Sequence, residues 1–173
     1  MKKFFITHNL LEKEKILYLM SFILPGLIFF SYFFYTKNGV LTVDLGQQYV
    51  DFLAFFRHNL FTHPFNLIYT FSNGLGNSML ATDAYYLLSP FNLLLFVFPQ
   101  HFLPKVILLI ITLKIATAGL TSYYYWKQKI NDFYALAASA AYALSGYVVS
   151  NHYNLMWLDS VLLLPLLIEA IDR

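Results

Sequence analysis

From Ile16 to Tyr35 the chain runs for 20 residues without a charged side chain. A helix of about 20 apolar residues covers the ~30 Å hydrocarbon core of a bilayer. Backbone placed in lipid must satisfy its own hydrogen bonds, so this stretch is expected to be a membrane helix. Lys2 and Lys3 ahead of an apolar run would also suit a cleaved leader. The run is too long for one, however, and "FFYTKNG" offers no small-residue cleavage site. The span is therefore expected to be retained, with Pro25-Gly26 bending it. Composition agrees: 59% of residues are hydrophobic and 12% charged, too few polar side chains to clothe a soluble domain. The net charge of +2 comes from scattered lysines, which excludes the clustered basic face of a nucleic-acid binder. Without cysteine there is no disulfide framework, thiol nucleophile or Cys-based metal site. No linker or internal repeat divides the chain, so residues 1–173 read as a single membrane domain.

Further spans are expected at residues 103–126, 133–150 and 158–171, making an all-α polytopic transmembrane bundle. Segment 84–99 is short, interrupted by "SPFN", and ends at Pro99. The positive-inside rule puts Lys2, Lys3, Lys13 and Lys15 in the cytoplasm, and "WKQK" at 126–129 with them. That parity requires residues 84–99 to be re-entrant or interfacial. The N-terminus is then cytoplasmic, and residues 37–101 form a long external loop, with "NHYNLMWLDS" (151–160) on the same face. Small residues in "ALAASAAYALSG" would let a neighbouring helix approach the third span closely. Four spans make a thin bundle, and the chain is expected to be a fragment of a longer protein.

Directly after the first span comes "DLGQQYVDF" (44–52). Projected as an α-helix, Asp44, Gln47, Gln48, Asp51 and His58 fall on one side, with Tyr49, Leu53, Phe56 and Leu60 opposite. Such a helix is expected to lie in the outer headgroup plane, aromatic face down. Seven positions put the backbones of Asp44 and Asp51 roughly 10 Å apart, too far to share one proton. Asp44 stands at the mouth of the bundle and is the better candidate for chemistry, although an aspartate at a helix start ordinarily caps it.

"DLGQQYVDFLAFFRHNL", "YTFSNGLGNSMLATDAYYLLSPFNLLLFVFP", "LKIATAGLTSYYY" and "AYALSGYVVSNHYNLMWLDSVLLLPLLIEAI" together resemble the N-terminal part of the bacterial YfhO family. That resemblance implies a GT-C-like glycosyltransferase. It would use a polyprenyl-phosphate-linked sugar donor at the outer face of the bacterial plasma membrane to decorate an envelope polymer such as lipoteichoic acid. GT-C enzymes carry a catalytic carboxylate in the first external loop, the place Asp44 occupies. The resemblance thus favours Asp44 as a general base on an acceptor hydroxyl, or as the holder of a metal that organises the phosphate, over a cap. Family proteins are several times longer, so activity is expected of the full-length form.

Other candidates each carry a plainer alternative. Lys114, near the middle of the second span, needs a partner; the choices are a carrier phosphate, an aspartate of the outer face, or a polar cavity. In "SNGLGN", Gly74 and Gly76 permit close backbone approach while Asn73 and Asn77 offer amides to sugar hydroxyls, or the motif is simply a turn. Gln48 and Asp51 are further substrate-binding candidates on the polar face. Arg57 suits phosphate, or lipid headgroups. Asp83 reads as a cap. Trp157 and Asp159 would hold a sugar ring, or Trp157 is an interfacial aromatic. If Asp159 met Asp44, the oxygen ligands would suit Mg²⁺ or Mn²⁺. His58 and His63 lack zinc-site spacing. The competing classes are a flippase or transporter of lipid-linked substrates, and a non-catalytic membrane fragment.

Overall fold

The computed structural model describes residues 2–36 and 39–173, with side chains from residue 12 onward; the side chains of Lys2 and Lys3, and Lys37, lie outside the described residues. The helices are α1 (Lys2–Thr36), α2 (Val50–Thr62), the single turn α3 (Leu80–Thr82), α4 (Leu103–Trp126), α5 (Asp132–Ala143), α6 (Gly146–Ser150) and α7 (Leu155–Asp172). Three segments are long and apolar enough to cross a membrane: Glu12–Thr36, Gln100–Trp126 and Asp132–Ser150. The expected fourth span is not among them. Its helix, α7, has 18 residues and carries three acidic side chains, Asp159, Glu169 and Asp172. The third span is also interrupted, because Ser145 takes extended backbone (φ −60°, ψ 155°) between α5 and α6.

Apolar residues surround α4 on every side, the pattern of a helix enclosed by others. Ile107, Ile110, Ile111 and Ile115 are fully buried, and α1, α5 and α7 pack around them. Against α1 the approach is very close. Pro25 has no N–H, so the Ser21 carbonyl lacks its usual partner one turn on. Gly119 of α4 sits on that carbonyl: a Cβ there would run into the Ser21 oxygen and come within 2.8 Å of Pro25 Cγ. One turn away, a Cβ on Gly26 would lie 3.1 Å from that of Ala116. Pro25-Gly26 therefore serves as a packing notch, and α1 continues as helix through it.

At the end of the bundle bearing the N-terminus, Lys13 pairs with Asp132 (3.3 Å), Lys127 with Glu14, and Lys129 with Asp172 (2.8 Å). Exposed pairs contribute little each, but these fix how the helix ends sit together. Residues 39–102 fold over the opposite end. Within 84–99 the longest regular piece is a 3₁₀ run, Pro90–Phe96, spanning about 14 Å at ~2.0 Å per residue. A π-helical turn, Asp83–Leu87, precedes it. Strands Tyr69–Thr70 and Asn77–Ser78 form a small antiparallel hairpin.

The two-sided pattern of residues 44–60 is realised. Leu45, Tyr49, Leu53 and Phe56 are buried, while Gln47, Gln48, Asp51 and His58 are exposed. The buried face does not rest on headgroups as expected. It is taken up by aromatic residues of the same loop, with the Tyr49 ring 5.1 Å from Tyr86 and Phe56 5.6 Å from Phe96.

Candidate active site

Asp44 is held at a tight, strained corner. Val43 adopts φ +50°, a left-handed conformation that costs a β-branched residue energy and that clusters at functional sites. Leu45 and Gly46 donate back to the Thr42 carbonyl (3.1 and 3.4 Å), and a Cβ on Gly46 would lie 2.7 Å from the Leu41 oxygen. The chain then enters a π-helical turn, Leu45–Tyr49. The Asp44 side chain makes no capping bond to it. Its Oδ2 instead accepts from the Tyr49 hydroxyl at 3.4 Å, while the carboxylate stays exposed. The π turn explains the pair. Residues five apart diverge by about 140° on an α-helix, but a π turn closes i to i+5 and brings them to one side.

Tyr49 Oη lies somewhat closer to a second acceptor, Asn154 Oδ1 (3.2 Å), on a buried asparagine just before α7. Burial pushes the Tyr49 phenol up to about 12, and the Asp44 carboxylate beside it adds to the shift.

Lys114 finds the aspartate partner. Its fully enclosed ammonium donates to Asp159 Oδ2 and to the Leu155 carbonyl, both at 2.9 Å. The other Asp159 oxygen accepts from Ser89 Oγ (3.0 Å), which ties α4, α7 and the loop at one point. Asp159 keeps about a quarter of its side chain exposed, toward a cavity of about 340 Å³ lined by Tyr85, Tyr86, Ser89, Phe91 and Met156. Trp157 Nε1 donates to Tyr85 Oη (3.1 Å) and so steadies one wall. The Tyr86 ring, part of that wall, packs on Tyr49. Asp44, Lys114, Trp157 and Asp159 thus belong to one connected region.

The remaining candidates lie elsewhere. Asp51 and Asn73 line a separate cleft of about 140 Å³ with Thr70 and Ser72. Gly74 (φ +64°) and Gly76 (φ +109°) form the tip of the hairpin, where Asn77 pairs with Thr70. Gln48 faces solvent. Arg57 is occupied by carbonyls: Nε donates to Leu95 and Nη2 to Phe98, both at 2.7 Å, pinning α2 to the end of the 3₁₀ run. Asp83 lies inside the π turn, whose cap position is Thr82, and its buried Oδ1 has no hydrogen-bond partner among the described residues. For a bridging Mg²⁺ or Mn²⁺ the donor set does not fit. Asp159 is engaged by Lys114 and Ser89, and among the described residues no three His, Cys, Asp or Glu side chains gather as a metal site.

Sequence reasoning missed Tyr49, Asn154 and Ser89. Tyr49 was legible only as an apolar-face residue, and its pairing depends on the π turn. Ser89 and Asn154 carried no signal beyond being polar residues beside apolar runs.

The fold and this site define a helical, multi-pass membrane protein that gathers polar side chains beneath a folded loop at one end of its bundle. More specifically, the chain belongs to the bacterial membrane protein YfhO family, whose profile matches residues 21–173. It matches no curated protein and no solved structure.

Proposed function

We propose that this region is the catalytic end of a GT-C-type glycosyltransferase, which moves a sugar from a polyprenyl-phosphate donor to a hydroxyl of an envelope polymer of the lipoteichoic-acid type. The carrying observation is the placement of Asp44, an exposed carboxylate on a strained corner, connected through Tyr49 and Tyr86 to an aromatic cavity that presents Asp159. Asp44 takes the proton of the acceptor hydroxyl. The hydroxyl oxygen then bonds to the anomeric carbon, and the bond from that carbon to the carrier phosphate breaks, its electron pair leaving with the phosphate. Asp159 Oδ1 and Ser89 Oγ accept from sugar hydroxyls, with Tyr85 and Tyr86 against the ring. Lys114 acts by holding Asp159, and Arg57 by holding the loop on α2.

Lysines at the opposite end, Lys13, Lys15, Lys127 and Lys129, support a cytoplasmic N-terminus and an outward-facing site. Asp44→Asn tests the reading in membrane vesicles supplied with a polyprenyl-phosphate sugar. Transfer should fall about 10² to 10⁴-fold with expression unchanged. Full retention of transfer would remove Asp44 as the base, whereas carriage of the lipid across the bilayer without a new glycosidic bond would favour a flippase.

A further inference from the structure

We infer that Tyr49 and Asn154 form a positioning pair that sets the Asp44 carboxylate, so that the base is aimed from α7 as well as from its own turn. The inference rests on the reading of Asp44 as the base. Asp44 is exposed and has no cap bond to hold it, so its side chain would otherwise sample several rotamers. Tyr49 is the group that limits this. Its ring is buried against Tyr86, and its single hydroxyl proton faces Asp44 Oδ2 at 3.4 Å and Asn154 Oδ1 at 3.2 Å.

One proton cannot serve both oxygens fully. An ionised carboxylate is the stronger acceptor, so the proton goes to Asp44 while Asp44 is charged. Turning the Asn154 amide by 180°, which exchanges its oxygen and nitrogen, lets its N–H donate to the phenol oxygen and completes a chain from Asn154 through Tyr49 to Asp44. Once Asp44 has taken a proton, the amide can turn back so that its Oδ1 accepts the phenol O–H, the arrangement the structure shows. Asn154 precedes Leu155, whose carbonyl receives Lys114, so the pair is anchored where α4 and α7 are locked together. The π turn supports the assignment, since such turns recur at functional sites and this one creates the Asp44–Tyr49 contact. A misplacement of about 1 Å can cost on the order of 10²-fold in rate.

Tyr49→Phe keeps the ring and removes only the hydroxyl. In the vesicle assay kcat should fall about 10- to 100-fold with KM little changed. In the Asp44→Asn background the same change should cost nothing further, because a group acting through Asp44 has nothing left to aim. The second readout needs no activity. With ¹³C at the tyrosine ζ carbon, NMR of the detergent-solubilised chain should show a phenol titrating near 12 that Tyr49→Phe removes. Burial raises it first, then Asp44, with smaller contributions from Tyr86 and Tyr85, so Asp44→Asn should move it down. Wild-type transfer by Tyr49→Phe, a loss that adds to that of Asp44→Asn, or a phenol indifferent to Asp44→Asn would each overturn the pair. If Asp44→Asn itself transfers normally, the base assignment fails, while the titration still reports whether Tyr49 touches Asp44.

Discussion

Asp83 shows how a single residue can be placed against its own stability. It sits in the loop with a buried oxygen that no described group satisfies, and burial raises its carboxyl above the ordinary range. A carboxyl raised on folding favours the folded state at low pH, below its unfolded value of about 3.9, and that advantage is lost as pH climbs toward the folded value. Asp83→Asn should accordingly be more stable than wild type at neutral pH, with the margin closing below about pH 4. Thermal unfolding of both proteins in detergent across that range measures this, and an equal margin at all pH values would contradict it. Val43 carries a different kind of cost, a left-handed backbone next to Asp44, and replacing it by glycine should relieve strain there.

Among the elements, the α1–α4 contact is the most exacting. Two helices meet at the carbonyl that Pro25 leaves free, and only glycine at position 119 lets the backbones come so near. The added methyl of Gly119→Ala meets main-chain oxygen and a rigid proline ring, neither of which can swing aside. A destabilisation of about 1–3 kcal/mol is expected, readable as a lowered unfolding temperature in detergent. Gly39, around which an added Cβ meets nothing, is the matched control and should tolerate alanine. The π turn at 45–49 is equally specific for its task, since rewinding it as α-helix would carry Tyr49 round to the far side from Asp44.

Across the whole molecule, the Lys114–Asp159 pair joins helix core to loop. The ammonium is wholly enclosed, so removing its partner leaves a charge without compensation. Asp159→Asn or Lys114→Met alone should cost about 3–5 kcal/mol, while the double variant Lys114→Met/Asp159→Leu should regain much of that loss. A double-mutant cycle in denaturant measures the difference, and additive losses would show that the two groups do not depend on each other. Ser89 extends the connection, which makes the loop cavity sensitive to how α4 and α7 pack.

Composition and the long apolar run were enough for the sequence to determine a helical membrane protein, because the bilayer allows a backbone few other choices. The motifs were enough for the family, and the two-sided pattern of 44–60 was readable because burial follows helical period. Other features needed the folded chain. That Lys114 meets Asp159 and that Arg57 is occupied by carbonyls both depend on which segments come together. The Asp44–Tyr49–Asn154 contact lies furthest from the sequence. It requires a local change of helical period and an asparagine more than a hundred residues away, and no periodicity along the chain encodes either.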